Sequence, residues 1–310
     1  MRYVNRWLAA SRIAVGFLLL VSSHVGVAQA KWPQPDWNKP DSKETMVCND
    51  EVKTPVYSLG NYELRIIQVP ASDICDHMCR AYLVNQKGDR KLLLEDFRIL
   101  IHQGTGEDIF GSGHASVVLE GWSGGAHCCW TYSIVDLGST PLVLPNIEND
   151  TGFFFFKDSR DGRYRILAAD GAFDYFDDMC HACSALPHVV LEVGGGRLQH
   201  VSSRYVAEYD TEIGEAKAEV DQDELGRFLT VPNVHQSEQT FEELRQHVLN
   251  IVLAYLYSGR EAQPWQALNE MWPTSDKARI KKLILDTKRE GLLSKLSDTS
   301  PKHEEISSPK

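Results

Sequence analysis

The chain has 310 residues, a formal net charge of −11 and seven cysteines. An acidic surface repels phosphate backbones, so nucleic acid is not an expected partner. The length can bury a sizeable core, in one large domain or two modest ones.

Residues 1–30 read as a cleavable export signal. Arg2, Arg6 and Arg12 make a basic start, residues 13–21 form an apolar stretch too short to span a bilayer, and Ala28-Gln29-Ala30 is a small-x-small cleavage pattern. Cleavage before Lys31 removes three arginines and no acid, which leaves the mature chain more acidic than the precursor. No later segment is long and apolar enough to cross a membrane, so no stable span is expected after cleavage. The implied location is the periplasm or the exterior.

Residues 31–45, rich in proline and polar groups, predict an extended leader running over the surface. A β-rich domain is expected over 46–202. Runs at 62–69, 97–102, 115–119, 131–137, 153–156, 164–168 and 188–193 are rich in Ile, Val, Leu, Tyr and Phe, with Gly, Pro, Asp and Asn between them. Lys87-Gly88-Asp89 and Gly194-Gly195-Gly196 read as hairpin turns. From residue 203 the apolar period becomes helical, predicting a helical domain over 203–298. Thr240 and Glu243 make a capping box, and Phe241, Leu244, Val248, Val252 and Tyr255 share one face up to Gly259. A further helix through Ala278, Ile280, Leu283, Ile284 and Thr287 is closed by Gly291, and a helix is also expected within 203–228. Residues 299–310 are polar and predict a disordered tail. The fold class is therefore α+β: an antiparallel, β-rich domain followed by a C-terminal helical domain.

All seven cysteines, Cys48, Cys75, Cys79, Cys128, Cys129, Cys180 and Cys183, lie after the signal. In an oxidising compartment such cysteines pair, and two or three disulfides are expected, with one cysteine left over. The competing reading takes Cys75/His77/Cys79, His127/Cys128/Cys129 and Cys180/His181/Cys183 as metal ligands. Structural zinc sites are commoner where thiols stay reduced, so no metal is expected.

The most distinctive stretch is Trp122-Ser123-Gly124-Gly125-Ala126-His127-Cys128-Cys129. Gly121-Trp122-Ser123-Gly124-Gly125 matches the G-x-S-x-G elbow of serine hydrolases, with Ser123 as nucleophile and His127 as a partner. An elbow must lead into a helix, whereas residues 128–135 read as a strand. The favoured reading is structural, with Gly124 and Gly125 forming a tight turn stapled by the cysteines. Downstream, Asp170, Asp174, Asp177 and Asp178 read as a solvated acidic loop. Its functional alternative is a cation or sugar site at Asp170 and Asp174, walled by Phe173, Tyr175 and Phe176.

Ser123 to Cys129, with Asp170-Gly171-Ala172-Phe173-Asp174-Tyr175-Phe176 and then Ser184 and Pro187, resembles a Ser-Gly-Gly-Ala-His-Cys-Cys group of bacterial exported proteins of unassigned function. That group is related to the FG-GAP (integrin-α-like) β-propeller repeats. Residues 113–119 and 162–168, 49 positions apart, each run from a glycine into an alternating strand, a spacing compatible with such repeats. The resemblance implies a partial propeller-like or open multi-sheet arrangement. It also implies that Cys128 or Cys129 pairs with Cys180 or Cys183 of the adjacent unit; separately from the resemblance, Cys48 is expected to pair with Cys75 or Cys79. Calcium-type loops accompany such repeats, but the ligand pattern around Asp108 and Asp158 is degraded and Arg160 opposes a cation, so no cofactor is expected. The expectation is an extracytoplasmic, disulfide-bearing binding protein without catalytic activity, its ligand a protein or glycan. The alternative is a secreted serine hydrolase using Ser123.

Overall fold

A computed structural model of the protein describes residues 30–33, 45–48, 56–70, 77–102, 104–125, 129–236, 241–297 and 302–303. Residues 1–29 of the expected export signal and most of the expected disordered tail lie outside these residues. Strands come first: β1 (Thr45–Cys48), β2 (Val56–Leu59), β3 (Tyr62–Pro70), β4 (His77–Asn85), β5 (Arg90–Asp96), β6 (Arg98–Ile101) and β7 (Ser116–Trp122). They continue with β8 (Trp130–Asp136), β9 (Leu142–Val143), β10 (Ile147–Asn149), β11 (Phe154–Lys157), β12 (Tyr164–Ala169), β13 (His188–Gly194) and β14 (Arg197–His200). Helices come next: α1 (Val206–Glu219), α2 (Gln222–Leu229), α3 (Glu242–Tyr257), α4 (Gln263–Met271), α5 (Lys277–Glu290) and α6 (Leu292–Ser297). A last short strand, β15 (Lys302–His303), pairs with β9.

Three antiparallel sheets result. β2-β3-β4-β5 and β11-β12-β13-β14 are four-stranded meanders in sequence order, and β1-β6-β7-β8-β9-β15, with β10 on β8, forms the sheet between them. Side-chain alternation places the layers. Val117 and Leu119 of β7 join Leu64, Ile66, Ala81 and Leu83 in one apolar cluster. Val118, between them in sequence, faces the other way with Tyr132, Ile134, Phe155 and Ile166. The middle sheet is thus covered on both faces. The second cluster continues through β13 into Tyr209, Val248, Val252, Trp272 and Ile284 of the helical region, so strands and helices share one core. The order is strands first, then helices, the α+β arrangement expected from sequence.

All seven predicted strand runs are strands. The predicted runs omit β4 and β5. β5 reads Arg90-Lys91-Leu92-Leu93-Leu94-Glu95-Asp96, a helix-prone composition that becomes a strand because it pairs along β4. The predicted turn at Lys87-Gly88-Asp89 closes that β4–β5 hairpin, and Gly195 and Gly196, at φ 61° and 74°, close β13–β14. The leader does not simply run over the surface. Trp32 is 8% exposed, its Nε1 donates to Glu212 Oε2 at 2.7 Å, and its ring meets Tyr209 edge-on at 4.8 Å. Gly291 ends α5 as predicted, and Glu243 stands in the first turn of α3; Thr240, the other half of the capping box, lies outside the described residues. Among the described residues no helix is long and apolar enough to cross a membrane.

His102, just after β6, is 2% exposed. Its Nε2 lies 3.2 Å from the Phe153 carbonyl and its Nδ1 accepts from the Gly104 amide at 3.4 Å, a pairing that the neutral Nε2–H tautomer satisfies. Burial lowers its pKa from 6.5 to about 4, against the opposing pull of the Phe153 carbonyl. The unfolded chain therefore takes the proton first. This contribution is complete above pH 6.5 and shrinks as pH falls through the window down to about 4. Between pH 7.5 and 5, His102 should cost the fold about 2 kcal/mol. Denaturant melts at the two pH values check this, and a His102→Gln protein with an equally steep pH dependence would refute it.

Candidate functional site

The glycine-rich motif forms the β7–β8 connection. Trp122 pairs with Trp130, so the chain returns as strand β8 where a nucleophile elbow would continue into a helix. Ser123 sits at the mouth of this loop, its amide donating to the Cys129 carbonyl at 3.3 Å. Gly124 has φ 95°, a region costly for residues with a Cβ, and the Gly125 carbonyl accepts from Trp122 Nε1 at 3.0 Å. His127 and Cys128 lie outside the described residues, as do Cys75 and the side chain of Cys48.

The two loops resembling calcium loops have their carboxylates engaged in turns. Asp108 accepts from the amides of Ser112 and Gly113, both at 2.9 Å, and Gly113 then leads toward β7 at φ 83°. Asp158 accepts from the amide and Nε of Arg160, both at 2.9 Å, and from the Tyr205 hydroxyl at 2.7 Å. Burial pushes the Asp158 carboxyl up, but these hydrogen bonds outweigh it and hold it down at about 2. The Arg160 guanidinium also lies 3.8 Å from the centroid of the Tyr205 ring.

Polar chemistry concentrates in the segment between β12 and β13. It is built from three short 3-10 turns, Gly171–Phe173, Phe176–Asp178 and His181–Cys183. Three non-glycine residues in it, Tyr175, Asp177 and Asp178, adopt positive φ of 54°, 55° and 61°. Such conformations persist only where surrounding contacts impose them, and they cluster at functional loops.

Those contacts are in place. Asp177 is 2% exposed at its side chain and pairs with Arg245 of α3 at 2.8 Å, with Arg279 of α5 at 2.5 Å and with His235 at 3.3 Å. Hydrogen bonds to Asp276 and to Asp177 raise the pKa of Arg279 further. Asp170 is fully buried and accepts from the Tyr257 hydroxyl at 2.6 Å and from the Leu292 amide at 2.9 Å. Burial, then the Asp170 charge, raises the pKa of Tyr257. Phe173 is fully buried against Phe176 and Tyr257.

The acidic loop is therefore not simply solvated, as its composition suggested. Asp170 and Asp177 point inward because the helices supply donors for them, whereas Asp178 is 91% exposed at its side chain. The four residues predicted to form a binding site also divide. Asp170 and Phe173 are interior; Asp174 and Tyr175 are at the rim. Tyr175 is 53% exposed and its ring lies 5.7 Å from that of His181. His181 Nδ1 lies 2.8 Å from Asp174 Oδ2. The Tyr175 amide donates to Ser184 Oγ at 2.8 Å, and Ser184 Oγ donates to the Cys180 carbonyl at 2.9 Å.

Cys180 and Cys183 form a disulfide with each other, Cα atoms 4.9 Å apart. The expected link from this pair to Cys128 or Cys129 is overturned: a 3-10 turn brings residues three apart together, and no other segment is needed. That spacing was the available signal. Cys79 and Cys129 each also take part in a disulfide. Arg245 was missed too, although it comes directly after Leu244 and precedes Val248 by three, a core-facing position on the predicted helix where a charge requires a buried partner. Among the described residues no group of three or more His, Cys, Asp or Glu is arranged to hold a metal ion.

Comparison with protein-family models, curated proteins and solved structures gives no match.

Proposed function

We propose that the protein is an extracytoplasmic binding protein that contacts a protein or glycan ligand through the rim of the 170–187 loop. The observation that carries this reading is Tyr175. Tyr175 is 53% exposed, yet its backbone is held at φ 54° between an Asp177 locked by two arginines and a Ser184 that fixes its amide. A large aromatic side chain held rigidly in solvent loses little entropy on binding, and Tyr is favoured at contact hot spots. His181, oriented by Asp174, extends the same surface with a polar edge.

The export signal and the disulfides support the extracytoplasmic location. The FG-GAP-like reading draws support from Gly113 and Gly162, both at positive φ and each leading into a central strand, β7 or β12. The rival hydrolase reading needs a helix after Ser123, where β8 returns instead.

Tyr175→Asn tests the proposal, because Asn tolerates positive φ and the residue is more than half exposed. Its melting temperature should stay within a few degrees of wild type. Ligands retained by wild type on a glycan array, or cross-linked from an extracytoplasmic extract, should bind the variant at least about tenfold more weakly. Unchanged binding of every such ligand would sink the reading. An ester-hydrolysing activity that Ser123→Ala abolishes would install the rival.

A further inference from the structure

We infer that Cys180–Cys183 is a thiol–disulfide exchange centre, able to take two electrons from a dithiol partner, rather than a structural staple. This inference does not depend on the binding role of Tyr175.

A staple joins segments that would otherwise part, and its effect grows with the loop it closes. This disulfide closes a loop between residues three apart. The same turn is already held without it. The Cys183 amide donates to the Cys180 carbonyl at 3.0 Å, Ser184 Oγ donates to that carbonyl at 2.9 Å, and Gln246 Nε2 of α3 donates to the Ala182 and Ser184 carbonyls, both at 3.3 Å. The turn is thus organised whether or not the sulfurs are joined.

The two sulfurs differ in the way an exchange centre requires. Cys180 is exposed and Cys183 is half-buried. The Cys183 amide points at Cys180 Sγ, 3.1 Å away, a donor that stabilises negative charge on that sulfur. Cys183 Sγ instead lies 3.7 Å from the Glu242 carboxyl, whose charge disfavours a thiolate there.

The exchange then runs in one order. A thiolate of the dithiol attacks exposed Cys180 Sγ; a new S–S bond forms to the partner, and the Cys180–Cys183 bond breaks. Its electron pair leaves on Cys183 Sγ, which takes a proton and donates a hydrogen bond to Glu242. The partner's second sulfur, after losing its proton, attacks the partner's first, closing the partner's disulfide and releasing Cys180 as a thiolate beside the Cys183 amide; protonation from water completes the step. The partner has lost two electrons and two protons, and Cys180 and Cys183 have gained them.

The test uses the full mature chain, oxidised and folded, in dithiothreitol or glutathione, with thiols trapped by alkylation and located by peptide mapping. Cys180–Cys183 should open at least about tenfold faster than the disulfide of fully buried Cys79, with circular dichroism unchanged. Opening of the two together, only as the protein unfolds, would overturn the inference. In single variants, Cys183→Ser should form a mixed disulfide with oxidised glutathione at Cys180 about tenfold faster than Cys180→Ser does at Cys183. Adding Glu242→Gln to Cys180→Ser should narrow that gap. Equal rates in the two single variants, or a Cys180→Ser/Cys183→Ser protein that cannot fold, would return the pair to the role of a staple.

Discussion

Replacing Asp177 with alanine should destabilise the protein by about 3–5 kcal/mol, a loss of roughly 10 °C in melting temperature. The side chain of Asp177 is 2% exposed and that of its partner Arg245 is 7% exposed. Removing the carboxyl leaves a buried guanidinium whose Nε already has no hydrogen-bond partner. Arg245 Nη2 would keep only the carbonyl of residue 177, now at 2.7 Å. Arg279 suffers less, since its side chain is 40% exposed and it retains Asp276. The diagnostic variant is therefore the double one. Asp177→Ala with Arg245→Met removes both buried charges and should recover much of the loss, because an apolar replacement of a buried pair is often nearly neutral. An Asp177→Ala protein that melts within about 2 °C of wild type would show that the pair does not hold the loop. The same variant releases the backbone next to Tyr175, so ligand binding should fall with stability.

Asp170→Ala is expected to cost about 3–4 kcal/mol, because two buried donors and a third, partly exposed one lose their common acceptor. Its carboxyl accepts from Tyr257 in α3, from the Leu292 amide at the start of α6 and from the Ala172 amide in its own turn. It therefore ties β12 to two helices separated from it by about a hundred residues of chain. Asp170→Asn keeps an acceptor oxygen and should recover part of the loss. Gly291 supplies an independent check: a Cβ there would overlap the Asp170 carboxyl. Its φ of −76° suits any residue, so the glycine is required for the close approach alone. Gly291→Ala should displace Asp170 and lower the melting point by an amount not additive with Asp170→Ala. Additive losses would mean that the two positions act separately.

Local pattern determined the elements of this protein. Alternating β-branched and aromatic runs gave β3, β7, β12 and β13, the 3.6-residue period gave α3 and α5, and glycine punctuated the turns between them, because these signals act over a few neighbouring residues. Strands before helices then fixed the α+β class. Compositions with no such signal stayed silent: β5 looks helix-prone and becomes a strand only through its pairing with β4. The site was legible as a place and not as a set of roles. Asp170, Asp174, Asp177 and Asp178 are equivalent acids in sequence, and burial of two of them depends on Tyr257, Arg245 and Arg279 arriving from helices far along the chain. The cysteines show the same division. Their number and the expected export signal pointed to disulfides, whereas the pairing of Cys180 with Cys183 was decided by the 3-10 turn that brings them together. Burial, partner and pairing are properties of where chain segments pack, and tertiary structure alone assigns them.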